Sequence, residues 1–233
     1  VFFSILISLG VEKQGNEFDQ RKSNIENIKS LIEEVKSIKS YTDDYLVENE
    51  WVTDWYQKQY DRWELDSDSI FVNFNDNSRL DIPLSMFFNR NPFTPKRIIF
   101  DAIKLDGTFR LLDKDLGRLV KEIYDGEDLS YLMRNSEEEE KEIIKSFRYR
   151  LSTDWAQNLG SIDIETVEFW LKNRDYIQSD KVMKHILLER IRNWILINGQ
   201  LQIYNGLLNK NIAFLEKRLK KKESETVIIW WWF

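Results

Sequence analysis

SDKVMKHILLERIRNWILINGQLQIYNGLLNKNIAFLEKRLKKKE, Ser179 to Glu223, is the stretch that decides the fold. It holds no proline, and its apolar residues return every three or four positions, the spacing of one helix face. Val182, Ile186, Leu187, Ile191, Trp194 and Ile195 form a first set. Leu201, Tyr204, Leu208, Ile212, Leu215 and Leu219 form a second, whose steps approach a heptad seam. A bend is expected only at Asn198-Gly199.

The opposite end of the chain carries a counterpart. From Glu17 to about Arg62, Ile25, Ile28, Ile32, Val35 and Ile38 recur at helical spacing. The pattern then turns aromatic, with Trp51, Trp55, Tyr56, Tyr60 and Trp63. Neither Pro nor Gly interrupts from Asn16 to Ile82, so one long helix is expected, continuous with the apolar start of the chain, with Ser40 to Asp44 as its candidate break. Each long helix has about 45 residues and so runs about 65 Å at 1.5 Å per residue. With only 3 Pro and 8 Gly in 233 residues, long elements win over the turn-rich all-β classes. The expected fold is all-α: an elongated helical bundle with the long first and last helices packed antiparallel and the N-terminal end of the chain in a membrane.

Shorter helices fill the middle. Ile70 to Pro95, rich in Asn and Asp, reads as loop or short hairpin. Thr94 and Pro95 are expected to open a helix carrying Ile98, Ile99, Ala102 and Ile103, closed by Gly107. Asp113 is a candidate N-cap for Leu116, Leu119, Val120, Ile123 and Tyr124. Asp125-Gly126 marks a turn. Leu129 to Trp155 is helical with Ile143, Ile144, Phe147 and Leu151 on one face, and Asn158 to Ser161 is a break before a short helix at Ile164 to Trp170.

Composition excludes several chemistries. The chain has no Cys, which removes thiolate metal sites, disulfides and Cys nucleophiles. Its one His, His185, lies beside Ile186 and Leu187 with no evident Ser partner, and reads as a surface or core residue rather than a base. The net charge of −6 is a poor match to nucleic acid, although Lys217, Arg218, Lys220, Lys221 and Lys222 make a local basic strip. Asp66, Asp68, Asn73, Asn75, Asp76 and Asn77 offer oxygens to Ca²⁺ but lack the Gly and the closing Glu of an EF-hand loop, so a solvated loop is expected there. Glu137 to Glu140 reads as a charge run at a helix start, favoured by the dipole. No enzyme, metal or cofactor is expected. The aromatic set Trp51, Trp55, Tyr56, Tyr60 and Trp63 is the candidate surface for a partner or ligand, with core packing against the last helix as its structural alternative.

The chain opens VFFSILISLG. Phe2, Phe3, Ile5, Leu6, Ile7 and Leu9 are expected to touch lipid, as the distal end of a transmembrane helix, with a short buried core segment as the alternative. Residues 1–16 then form this end and a juxtamembrane segment, 17–223 a helical extramembrane domain, and 224–233 an apolar aromatic tail. That tail, ending VIIWWWF, reads as a second membrane segment, as an interfacial anchor beside the first helix, or as residues that are not native sequence.

Ile5 to Val35, ILISLGVEKQGNEFDQRKSNIENIKSLIEEV, resembles a family of uncharacterised Gram-negative bacterial single-span membrane proteins, in which the span runs straight into a charged helix. Phe100 to Asp125, FDAIKLDGTFRLLDKDLGRLVKEIYD, is similar to a second segment of that family at Phe100, Ile103, Gly107, Phe109, Leu112, Asp115, Leu116, Arg118, Leu119, Ile123 and Tyr124. The family's Asn-x-Trp-Asn after the span is replaced here by VEKQGNEF. The resemblance implies an inner-membrane protein with a helical domain facing the periplasm, and it transfers no catalytic residue. The function expected is a non-enzymatic structural or interaction subunit of a bacterial envelope complex. Its partners would be membrane lipid and either other envelope proteins or further copies of itself, joined through helical seams, with no nucleic acid. The alternative is a periplasmic ligand-sensing helical domain flanked by two spans. An apolar seam left exposed after the bundle is built would favour the first; a closed pocket lined by the aromatic set would favour the second.

Overall fold

The computed structural model describes residues 2–61, 63, 87, 89–112 and 114–230, with the side chains of 2–19, 111, 167 and 226–230 outside that description. Asp113, the acid and amide set from Asp66 to Asn77, the lipid-facing side chains from Phe2 to Leu9 and the last residues of the aromatic tail therefore lie outside the described residues. The fold is all-α, with long first and last helices, and no strand occurs among the described residues. Helix α1 spans Phe2–Asp61 as one helix continuous with the apolar start, and the candidate break near Ser40 does not occur. There Thr42 donates its hydroxyl to the Ile38 carbonyl at 2.7 Å, so the polar side chain bonds within the helix instead of competing with it. The shorter helices are α2 (Ile98–Leu105), α3 (Lys114–Asp125), α4 (Glu127–Arg134), α5 (Glu140–Arg150), α6 (Ala156–Leu159), α7 (Val167–Lys172) and α8 (Arg174–Ser179). The last helix, α9, spans Lys181–Trp230 and continues through Asn198-Gly199. Among the described residues no helix is long and apolar enough to cross a membrane.

The chain forms two compact units that interleave along the sequence. The first comprises Val1–Thr42, Pro95–Leu129 and Tyr204–Phe233; the second comprises Asp43–Thr94 and Ser130–Ile203. In the first unit Lys29 meets Glu223 at 3.3 Å and Lys36 meets Glu216 at 3.1 Å, so the chain advances along α1 as it retreats along α9 and the helices are antiparallel. These exposed pairs mark the register and add little stability. Ile28, Leu31, Val35, Phe100, Leu116, Val120, Ile123, Leu208 and Leu215 make the core. Thr94 and Pro95 do not begin α2, which starts at Ile98. Its N-terminus is instead capped from α1: Glu34 accepts the backbone N–H of Ile99 at 2.6 Å and of Phe100 at 3.1 Å, and the Tyr124 hydroxyl at 2.7 Å. A carboxylate suits a helix N-terminus, where backbone N–H groups lack intrahelical acceptors. Burial and the Glu34 carboxylate push the Tyr124 phenol far above its ordinary value, so it stays a donor. Gly126, between α3 and α4, allows a turn no larger residue fits: an added Cβ would lie 2.1 Å from the Glu122 carbonyl oxygen.

In the second unit Gln202 bonds Glu50 at 3.3 Å and Asn198 approaches Thr53 at 3.5 Å, again an antiparallel register. The core gathers Tyr56, Trp63, Phe87, Phe147, Trp155, Phe169, Trp170, Ile177, Met183, Leu187 and Ile191. Two single π-helical turns, Asn135–Glu139 and Leu151–Trp155, interrupt the run from α4 to α6. Each packs an extra residue into the turn and re-aims the side chains that follow it.

Candidate interaction surface

The aromatic set of α1 does not form one surface. Helical residues advance about 100° each, so Trp51 and Trp55 share one side while Tyr56 and Tyr60 lie about 140° away. Tyr56 and Trp63 are buried in the core of the second unit, and Tyr60 packs against it. Trp51 is 61% exposed and meets Trp55 edge-on, with ring centroids 6.0 Å apart; Lys58 lies over the Trp55 ring.

Trp51 has neighbours of its own kind. Val47 on α1 and Ile195, Leu196 and Ile203 on α9 are 68%, 52%, 60% and 59% exposed. On α1, Val47, Trp51 and Trp55 sit roughly 130° further round, in the winding sense, than Glu50 and Thr53, which face α9. On α9, Ile195, Gly199 and Ile203 sit roughly 80° further round than Asn198 and Gln202. In an antiparallel pair, offsets of the same sense turn to the same side. The two helices thus bury Tyr56, Arg190, Trp194 and Leu201 on one side and present Val47, Trp51, Ile195, Leu196 and Ile203 together on the other.

Behind this face lies the most polar part of the core. Glu140 and Arg190 are 1% and 0% exposed and ion-paired. Glu140 also accepts the Trp194 indole N–H at 2.9 Å and the Arg90 backbone N–H at 3.4 Å. Arg190 stacks on Tyr56 and Arg90 on Trp194, each within about a ring's reach at 4.8 and 5.2 Å. The adjacent π turn buries Asn135 and Ser136, whose hydroxyl accepts the Phe93 backbone N–H at 2.8 Å. This corrects the charge-run reading of Glu137 to Glu140: the first three are exposed, but Glu140 faces the core. A sequence signal existed. Glu140 stands four residues before Ile144 on the apolar face of α5, and Arg190 stands four before Trp194 on the seam of α9.

A second buried acid, Asp180, caps α9 by accepting the backbone N–H groups of Val182 and Met183 at 3.1 and 3.0 Å. It also takes Arg150 at 2.9 Å and the Trp155 indole N–H at 2.7 Å. Burial pushes its carboxyl up, but Arg150, the Met183 N–H and Trp155 outweigh this and hold it below the usual carboxylate range. A depressed carboxyl adds stability above the unfolded value of about 4, and loses it as pH falls through the folded value. We therefore expect Asp180→Asn to cost about 2–3 kcal/mol at pH 7. The gap from wild type should shrink below about pH 4. Urea unfolding at pH 7 and pH 3 checks this; a gap independent of pH would refute it.

His185 is exposed and 3.8 Å from Glu189. No cluster among the described residues could hold a metal ion. An open groove of about 560 Å³ lies along Glu142, Tyr149, Arg150, Asp154, Val182 and Ile186, with Arg150 already engaged by Asp154 and Asp180. No family model, curated protein or solved structure matches the chain. Fold and surface together define an all-α helical protein with an uncovered apolar face on its two long helices.

Proposed function

We propose that the chain is a non-enzymatic interaction subunit of a bacterial envelope complex. It is anchored in the inner membrane near its N-terminal end, and its helical bulk lies in the periplasm. The observation that carries the interaction role is the exposed apolar face of Val47, Trp51, Ile195, Leu196 and Ile203. Large apolar groups gathered on one rigid side mark docking surfaces, and Trp is the residue most enriched where binding energy concentrates. The resemblance of Ile5 to Val35 and of Phe100 to Asp125 to single-span envelope proteins supports the location. With Tyr56 and Trp63 in the core and Trp51 on the surface, the aromatic set favours docking over ligand enclosure.

Trp51→Glu tests the role. The full chain is purified from membranes in both forms, and the co-purifying chains are quantified by mass spectrometry. Wild type should carry an assembly partner, another protein or a second copy, in fixed ratio. Trp51→Glu should lose it at least about tenfold, the effect of roughly 1.4 kcal/mol, with helicity and unfolding midpoint unchanged. Wild type that purifies as a lone monomer, or a variant that keeps its partner, would refute the role.

A further inference from the structure

The chain passes from one compact unit to the other four times, at Thr42–Asp43, Thr94–Pro95, Leu129–Ser130 and Ile203–Tyr204. Thr94–Pro95 lies outside any helix, and Leu129–Ser130 lies in the first turn of α4, just past the Gly126 turn. The other two passages run inside the long helices. There the residues depart from those that make a stiff helix. Gly199 and Gly206 stand on either side of Ile203–Tyr204 in the interior of α9. After proline, glycine is the residue least suited to a helix interior. Nothing lies within 4 Å of the Cβ that either would carry, so no neighbour requires the missing side chains.

On α1 the passage falls at Thr42, within the Ser40 to Asp44 stretch. Thr42 and Thr53 turn their hydroxyls back onto the Ile38 and Asn49 carbonyls, at 2.7 and 2.6 Å. Such a bond keeps a helix continuous but lets it bend. Between Ile38 and Tyr56 the buried residues of α1 are Thr42, Tyr45, Asn49 and Thr53, none of them aliphatic. Ile28, Leu31, Ile32 and Val35 hold the helix firmly before this stretch, and little aliphatic burial holds it within. The Glu50–Gln202 and Thr53–Asn198 pairs put Gly199 to Ile203 level with about residues 48 to 53 of α1. The two long helices therefore weaken side by side.

We propose that these passages form a hinge. α9 bends between Gly199 and Gly206, α1 bends from Thr42 to Thr53, and the two units change orientation about these stretches, each moving as a body. The first unit holds the start of α1 and the second holds the open face of Val47, Trp51, Ile195, Leu196 and Ile203. Bending thus re-aims that face relative to the start of the chain. The hinge is a property of the two helices and stands whether or not the face docks a partner.

The absence of cysteine makes the test clean. Spin labels are attached to the full chain at Lys121→Cys in the first unit and Lys145→Cys in the second, both exposed positions. Double electron–electron resonance then reads the distribution of distances across the passages. Lys145→Cys with Lys172→Cys, both in the second unit, is the reference pair. The cross-unit pair should give a broad distribution and the reference pair a narrow one. Gly199→Ala combined with Gly206→Ala should narrow the first and leave the second unchanged. Alanine fits at both places, so the variant keeps its fold. The same variant should slow amide exchange between residues 199 and 206 at least about fivefold, the effect of about 1 kcal/mol on a local opening. Gly117→Ala, inside α3, should do neither. A wild-type cross-unit distribution as narrow as the reference overturns the proposal. So does a breadth that the double variant leaves unchanged, or one that Gly117→Ala narrows equally.

Discussion

Glu140→Ala should lower the unfolding free energy of the second unit by about 3–5 kcal/mol, the cost of leaving a buried charge without its partner. Three donors lose their acceptor together: the Arg190 guanidinium, the Trp194 indole N–H and the Arg90 backbone N–H. Water cannot replace it for Arg190 and Trp194, which are at most 1% exposed. Such a cost measures the orphaned charge and not the worth of the pair. Glu140→Leu combined with Arg190→Met should therefore recover most of the loss, short of about 1–3 kcal/mol for the Trp194 N–H still lacking an acceptor. Urea unfolding followed by tryptophan fluorescence and by helicity checks both variants. A double variant as unstable as Glu140→Ala would show that the pair itself holds the unit together.

Trp155→Ala is the second large effect, about 3–5 kcal/mol. The ring is fully buried and meets Phe87, Phe169, Trp170 and Tyr176, with centroids between 6.1 and 6.5 Å away. Its removal leaves a cavity that four large neighbours on three segments cannot close by small shifts. It also takes one donor from Asp180, the acid that caps α9. Trp155→Phe separates the two contributions, since it keeps most of the packing and loses the N–H. The expected cost of that change is about 1.5–3 kcal/mol, as for a hydrogen bond to a charged group. A Trp155→Ala variant with an unfolding midpoint near wild type would refute the assignment of Trp155 to the core. Trp51→Ala offers the contrast: on the isolated chain it should stay within about 0.5 kcal/mol of wild type.

Much of the secondary structure was legible because helical periodicity and helix punctuation are local. Gly107 and Gly160 adopt positive φ at the two breaks where glycine stood in the pattern. Ile25, Ile28, Ile32, Val35 and Ile38 are all buried, as their spacing required. The errors fall where a distant residue intervenes. Thr94 was a reasonable cap for α2 by local rules, but Glu34, on another helix, does that work. Ile212 completed an apolar seam on paper, yet Asn211 is the buried residue, at 1% exposure. The heptad seam continues through Arg190, Trp194, Ile197, Leu201, Tyr204, Leu208, Asn211 and Leu215, and so admits two polar members that hydrophobicity alone passes over.

The candidate surface shows the same division. The sequence marked Trp51, Trp55, Tyr56, Tyr60 and Trp63 as unusual, and angle counting divides them into two sides of one helix. It does not say which side faces inward, because that depends on where α9 and the middle helices lie. Composition, the two long periodic stretches and the scarcity of Pro and Gly determined by themselves that the chain is helical and bracketed by long helices, since each acts through short-range backbone and side-chain preferences. Only the tertiary structure decided that Glu140 and Arg190 are buried together and that Trp51, Ile195 and Ile203 share an open face. Burial and juxtaposition are properties of packed helices, and no single helix carries them.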